Sequence, residues 1–191
     1  REDMHHTLLL LLTSLLDRRY SELVPALDEG STEQIETERV AVSKLFMLLL
    51  QHVVSNGCAS VLVSQTNIRE FENVLSMMMA GIQMSDVSVK RSNLQFFSNL
   101  VKSGACDVDP GLHATFWGCL MGTVLVTSLQ MMMSDSFSPK DAQSARVAGE
   151  AAILLFAARE RKPDQFRDFL TALSAHCVEH GGERAGKCQE A

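Results

Sequence analysis

Helix start signals recur along this sequence of 191 residues at a nearly regular spacing, which few folds produce. They form two interleaved series, at Glu33, Asp86 and Pro139 and at Asn67, Pro110 and Pro163. Members of the first series lie 53 residues apart. A period of about 40 to 50 residues with two helices per unit is typical of HEAT-type solenoids. We therefore expect an all-α fold, an α-solenoid of HEAT-type helical hairpins with about seven helices.

Local signals place the first two helices. An apolar helix is expected from about Met4 to Leu16. Ser31 is the expected N-cap of the next helix, with Gln34 at the capping-box position, and that helix should end near Gly57.

The same signals place the later helices. Predicted caps and first residues are Asn67 with Glu70, Ser85 or Asp86, Asp109 with Pro110, Ser138 with Pro139 and Asp141, and Pro163. Asn, Ser and Asp side chains accept hydrogen bonds from the unpaired N–H groups of a first turn, and proline fits the first helical position. One of these helices should reach about Gly81, another should stop at Gly104, and the last should reach about His180. We expect residues 1–180 to be repeats of a larger solenoid and residues 181–191 to be a flexible tail.

The composition agrees with a folded helical chain. Hydrophobic residues make up 46% of it and charged residues 21%, whereas aromatic residues make up 6% and proline occurs 4 times, which favours helices over sheets. A formal net charge of -6 argues against a wholly basic nucleic-acid module but permits a local basic stripe. The cysteines have no repeated spacing and no secretory leader is apparent, as expected in a reducing compartment. The first residue is Arg rather than Met, so we expect a piece of a longer protein.

Two apolar stretches raise the question of a membrane segment. The run from Leu8 to Leu12 is too short to cross a bilayer. The stretch from Ala114 to Met133 is long enough, but it contains several polar side chains and has no adjacent Lys/Arg cluster. We predict that it is a buried core helix and that the chain does not insert into membranes.

The segment 85–104, SDVSVKRSNLQFFSNLVKSG, has a wide apolar face. At 100° per residue, an arc of about 160° holds Val89, Asn93, Leu94, Phe96, Phe97, Leu100 and Val101. Lys90 lies at the edge of that arc, and the opposite side holds Arg91, Gln95, Ser98, Asn99 and Lys102. So wide an arc predicts contact with two neighbouring helices, as in a stack.

Arg91 and Lys102 fall about 20° apart on the predicted exposed side. Two interpretations of this pair remain open. One is a solvated helix face, and the other is a basic stripe on a concave surface that meets an acidic partner or phosphates.

Residues 86–97 resemble the second helix of a HEAT repeat, with Asp86 and Lys90 where that repeat commonly has an Asp and a basic residue. FMLLLQHVVSNGCASVLVSQTN and SDVSVKRSNLQFFSNLV, with a helix between them, resemble the C-terminal part of the exportin-T family. That family contains the transfer-RNA exporters of the importin-β (karyopherin) superfamily. FSPKDAQSARVAGEAAILLFAARERKPDQFRDFL is similar to the region near that family's C-terminus. The resemblance covers residues 1–180, with departures at the Ala-rich helix 142–158, the Met-rich run 131–133 and the tail.

The resemblance implies a curved solenoid that clasps transfer RNA together with the GTP-bound form of Ran. Implied partners are transfer RNA, Ran, mainly through parts of the receptor outside this chain, and nuclear pore proteins. The implied location is the nucleus and the cytoplasm, between which such a receptor shuttles. An alternative function is a generic HEAT-repeat scaffold that binds protein segments in its concave face, and the salt dependence of binding would separate the two.

Candidate RNA-binding residues follow from this implication. They are Lys90, Arg91 and Lys102 on one helix, with Lys44, Lys140 and Arg146 on its sibling helices. Arg146 has Glu150 four residues later, so an intrahelical ion pair is a competing role for it.

Catalytic and metal-binding motifs are weak in this sequence. It contains no Gly-rich phosphate loop, nucleophile elbow or HExxH motif, so we expect neither an enzyme nor a cofactor. The closest approach to a metal site is the set His176, Cys177, His180 and Cys188. We expect no metal there, because zinc sites usually have tighter ligand pairs on both sides.

Overall fold

The computed structural model describes residues 32–64, 68–83, 86–134, 137–138 and 140–187. All regular elements in those ranges are helical, as the sequence predicts. The α-helices are α1 (Thr32–Ser55), α2 (Ala59–Leu62), α3 (Ile68–Gln83), α4 (Val87–Ser103), α5 (Pro110–Cys119), α6 (Leu125–Met132), α7 (Ala142–Arg161) and α8 (Pro163–Lys187). A 3₁₀ turn (Ala105–Asp107) separates α4 from α5, and a π-helical segment (Leu120–Val124) joins α5 to α6. The predicted helix from Met4 to Leu16 and the predicted caps Ser31, Asn67 and Ser85 lie outside the described residues.

The long helices form two layers. Helix α4 packs between α1 and α7, and these three helices, which begin 55 residues apart, make one layer. Helices α3, α5 with α6, and α8 make the second layer, because α3 packs against α5 and α6, and α8 packs against the π-helical segment. Helix α3 also packs against α4, which joins the layers. The two series of helix starts in the sequence are therefore the two layers of an α-solenoid.

Side-chain contacts show that α1 and α4 run parallel. Near the middle of α1, the Nδ2 atom of Asn93 lies 3.5 Å from Sδ of Met47. At the end of α1, Nδ2 of Asn99 donates to Oγ of Ser55 at 2.9 Å. Later residues of α1 thus meet later residues of α4, which is the arrangement expected of equivalent helices in successive repeats.

Caps confirm the predicted boundaries at Asp86, Gly104 and Asp109. Asp86 accepts hydrogen bonds from the backbone N–H groups of Ser88 and Val89 at 2.9 and 3.1 Å. Gly104 ends α4 in the left-handed conformation, with φ 66°, a conformation that costs glycine little. Asp109 caps α5, with Pro110 at its first position.

Two predicted boundaries are wrong. Helix α7 begins at Ala142 and its N-cap is Asp141, which accepts from the Ser144 N–H at 2.7 Å, so Ser138 is not the cap. Helix α8 begins at Pro163 as predicted, but it continues past His180 to Lys187. Its two consecutive glycines lower helix propensity by about 1 kcal/mol each without blocking the backbone hydrogen bonds, as a proline would. The division at residue 180 into repeats and tail stays a prediction.

Helix α4 is buried on more sides than its wheel predicts. All seven residues of the apolar arc are buried, as expected. Ser98, which the wheel places on the exposed side, is also buried, at 2% exposure. The reason is that α4 has three neighbours, α1, α3 and α7, where the arc alone indicates two.

The helix Pro110–Met132, which contains α5, the π-helical segment and α6, is long and apolar enough to cross a membrane by length and composition. No other helix in the described part of the chain passes that test. It buries Phe116, Trp117, Leu120 and Leu125 against the rest of the chain, while the side that holds Thr123 is exposed. The prediction of a core helix is thus compatible with the packing of Pro110–Met132.

Candidate nucleic-acid interface

The α4–α7 seam, the line on which these two helices touch, holds some of the candidate residues. Within it, Oε1 of Glu150 on α7 accepts hydrogen bonds from Nε2 of Gln95 at 2.6 Å and from Nη2 of Arg91 at 3.3 Å. Small side chains on α7, including Ala151 and Ala158, are completely buried, and they allow α7 to approach α4 closely. The Ala-rich stretch of the sequence therefore has a packing role.

The structure corrects the prediction that Arg91 is on the exposed side of α4. Its side chain is 35% exposed and pairs with Glu150, whose side chain is 14% exposed. The Nε atom of Arg91 is buried and has no hydrogen-bond partner among the described residues. The competing role of Arg146, an intrahelical pair with Glu150, is not observed, because Glu150 turns to α4 instead. Arg91 thus helps to hold α4 against α7.

Lys44 also has a structural partner. Its Nζ lies 2.6 Å from Oδ2 of Asp86, the N-cap of α4. The hydrogen bond from Lys44 and those from the Val89 and Ser88 N–H groups outweigh the effect of burial and lower the pKa of Asp86 below its ordinary value of 3.8. This pair links α1 to the start of α4, so the predicted sibling-helix cation serves the stacking of helices.

The other four candidates form no ion pair among the described residues. Lys102, Lys140 and Arg146 are exposed, whereas Lys90 is partly buried. Lys90 and Lys102 lie about 120° apart around α4, so they do not share a face. Arg146 lies two turns before Ile153 on α7 and about 20° from it around the helix, on the same side. Helical geometry therefore puts Arg146 on the same side of α7 as Ile153 and separates Lys90 from Lys102 on α4.

An open groove of about 630 Å³ lies at the C-terminal end of the seam. Ile153 and Phe156 of α7 line it and are 45% and 59% exposed. Lys102 of α4 and Glu160 of α7 also line it. Sequence reasoning missed this groove, although the spacing of Ile153, Phe156 and Glu160 places them on one side of a helix whose opposite side is alanine-rich.

A cluster of charged side chains around Asp107 lies beside this end of the groove. Asp107, in the 3₁₀ turn after α4, accepts hydrogen bonds from Arg161 Nε at 2.8 Å and from Trp117 Nε1 at 3.0 Å. Lys162 Nζ lies 3.3 Å and His113 Nε2 lies 3.6 Å from the same carboxylate. Burial raises the pKa of Asp107, but the hydrogen bonds from Trp117, Arg161 and Lys162 outweigh it, so the pKa is lowered overall. The carboxylate therefore stays ionised and ties α4 to the α7–α8 turn.

Nucleophilic and metal chemistry have little support in the described residues. Burial raises the pKa of the Cys106 thiol to about 12 and that of Cys119 to about 11, so both stay protonated at neutral pH. The described residues contain no group of three or more His, Cys, Asp or Glu that is placed to hold a metal ion. The set His176, Cys177, His180 and Cys188 lies outside the described side chains.

Comparison with known proteins identifies similar sequences. The sequence profile of the Exportin-T family matches residues 1–187. An Exportin-T of Mycosarcoma maydis is 28% identical over 138 residues, which are 70% of this chain and 12% of that protein. An Exportin-T of Scheffersomyces stipitis is 25% identical over 178 residues, which are 84% of this chain and 18% of that protein. No solved structure matches the chain. The chain thus spans less than a fifth of the length of either relative.

Proposed function

Because the chain belongs to the exportin-T family, we propose that it forms part of a nuclear export receptor that binds transfer RNA together with GTP-bound Ran. The family match over residues 1–187 is the observation that carries this proposal. In this proposal the chain acts as part of a transport receptor and not as an enzyme. Other parts of the receptor provide most of the Ran contacts, and nuclear pore proteins bind it during its movement between nucleus and cytoplasm.

The described architecture supports such a role. A two-layer stack of helices offers a long continuous surface, which suits the recognition of a folded RNA by shape and backbone contacts more than by base sequence. The net charge of -6 means that binding must use local cations instead of a generally basic surface.

Within this proposal the six predicted residues divide into two groups. Lys102 and Arg146 on the α4–α7 seam contact RNA phosphates, and Lys140 and Lys90 add contacts at its periphery. Lys44 and Arg91 act indirectly, because their ion pairs with Asp86 and Glu150 hold α1, α4 and α7 in register. Charge reversal at the residues that contact RNA should weaken RNA binding without unfolding the chain. Charge reversal at Lys44 or Arg91 should mainly reduce the stability of the fold.

Cooperative binding tests the proposal. Fluorescently labelled transfer RNA is titrated into the intact receptor alone, with Ran and GTP, and with Ran and GDP. We expect the affinity for transfer RNA to rise with Ran and GTP only, and to fall steeply with added salt because phosphate contacts release counterions. Salt-insensitive binding of protein segments, with no binding of transfer RNA, would instead support the scaffold function.

A further inference from the structure

The groove at the C-terminal end of the α4–α7 seam exposes an aromatic ring that the packing of the helices does not use. Phe156 is 59% exposed, and Ile153, one turn earlier on α7, is 45% exposed. Large apolar side chains that are exposed together in a concave surface commonly mark an interaction site. The groove has a volume of about 630 Å³, which is within the range of about 300–1,000 Å³ found for ligand sites.

The charges that line the groove limit its occupant. The Arg161 guanidinium is bonded to Asp107 at 2.7 and 2.8 Å, whereas Lys102, the other lining cation, has no ion pair among the described residues. Glu160 supplies a carboxylate that accepts hydrogen bonds. An occupant that contacts Phe156, Lys102 and Glu160 together has a flat apolar face, an anionic group and an N–H edge.

We propose that this groove holds an unpaired nucleotide of the bound RNA. The base stacks on Phe156, its phosphate lies near Lys102, and Glu160 accepts a hydrogen bond from the exocyclic amino group of the base. Aromatic side chains with nearby cations bind single-stranded RNA in this way, because every base has a stacking face. An apolar side chain of a protein segment would use the floor of the groove but leave Lys102 without a partner. The inference rests on the proposed function, since it assigns a site to the same RNA.

Two RNA probes and four proteins test whether the groove holds an unpaired nucleotide. The probes are a blunt RNA duplex and the same duplex with a single-stranded 3′ extension. The proteins are the intact wild-type receptor and its Phe156→Ala, Phe156→Tyr and Leu170→Ala variants. Leu170 is a matched control because it is 47% exposed, on α8, and does not line the groove. Circular dichroism checks that each variant stays folded.

Phe156→Ala should weaken binding of the extended RNA by about 5- to 150-fold, which corresponds to 1–3 kcal/mol for one stacked base. The slope of affinity against salt should not change, because stacking releases no counterions. Phe156→Tyr should retain the affinity, Leu170→Ala should resemble wild type, and binding of the blunt duplex should be unaffected by any of them.

The outcomes that contradict nucleotide binding in the groove differ from those that contradict the proposed function. If Phe156→Ala binds the extended RNA as tightly as wild type does, the groove does not hold a nucleotide. An equal loss for both probes would also overturn the inference, since the blunt duplex has no unpaired nucleotide. A Phe-containing peptide serves as a further probe: if Phe156→Ala loses binding of this peptide and keeps its RNA affinity, the occupant is a protein segment. Failure of the wild-type receptor to bind transfer RNA with Ran and GTP present would overturn the proposed function and this site with it.

Discussion

Arg91 shows how one side chain changes role between a helical wheel and a folded stack. On the wheel it shares a face with Lys102, but in the structure it is paired with Glu150 across the seam. The sequence contains no signal for this pair, because the two residues are 59 positions apart and meet only when α7 packs on α4. By contrast, the caps Asp86 and Asp109 are predictable because their hydrogen bonds are local.

Charge reversal at Arg91 should therefore destabilise the fold. In Arg91→Glu, a second carboxylate faces Glu150 and the hydrogen bond is lost, which should cost about 1–3 kcal/mol. Lys102→Glu is the control on the same helix, because Lys102 is exposed and unpaired among the described residues, and it should change stability by less than about 0.5 kcal/mol. Urea unfolding of the 191-residue chain measures the free energy of unfolding of both variants. Equal stabilities would mean that Arg91 is solvated after all.

Asp107 makes stability depend on acid pH. Its pKa is lowered in the folded state, so the stabilisation it provides is present above its ordinary pKa of 3.8 and is lost as pH falls through the lowered value. Asp107→Asn should reduce the free energy of unfolding at pH 7 by about 1–3 kcal/mol, because Arg161 and Lys162 lose their counter-charge. The difference from wild type should shrink below about pH 4. A constant difference from pH 7 to pH 3, measured by thermal unfolding, would contradict this assignment.

At the scale of single elements, helix positions are largely predictable and helix surfaces are not. Apolar periodicity, caps and glycines locate α1, α3, α4 and α5 to within a few residues because these signals are local. The exposed and buried sides of α4 depend on how many helices surround it, so Ser98 and Arg91 are misassigned. The groove beside α7 is similarly a product of two helices from different repeats.

The close contact between α3 and α4 gives a test at this scale. A Cβ added at Gly81 would overlap Nδ2 of Asn93 and lie 2.8 Å from its Cγ, and Asn93 is completely buried. Gly149, also within a helix, has nothing within 4 Å of such a Cβ. Gly149→Ala should stabilise the chain by about 0.5–1 kcal/mol through helix propensity, whereas Gly81→Ala should destabilise it. If thermal unfolding shows that both variants gain stability, the two helices are not in close contact.

The helix Pro110–Met132 gives a second test. Its buried residues pack against α3, α7 and α8, so we expect the chain to remain in the aqueous phase of a detergent partition experiment. Replacing the exposed Thr123 with Lys should leave this result and the stability unchanged, since the charge would face water. Partition of the wild-type chain into the detergent phase would show that this helix inserts into membranes.

The whole molecule is built by repetition of similar helices. Parallel helices α1, α4 and α7 begin at equal intervals and are held by the pairs Lys44–Asp86 and Arg91–Glu150. Such a stack has contacts mainly between neighbours, so exposed seam cations can be altered without disturbing distant repeats. The effects of seam variants on stability and on RNA binding can therefore be measured separately.

The most direct measurement is the salt dependence of transfer-RNA binding to the intact receptor, with Ran and GTP present. The double variant Lys102→Glu with Arg146→Glu removes two seam cations. Arg159→Glu with Arg167→Glu changes the net charge equally, at exposed positions away from the seam. We predict that the seam variant binds more weakly and that the slope of log affinity against log salt falls by about two units, one per lost phosphate contact, while the control variant keeps the wild-type slope. Equal slopes for the seam variant and wild type would contradict an RNA-binding seam.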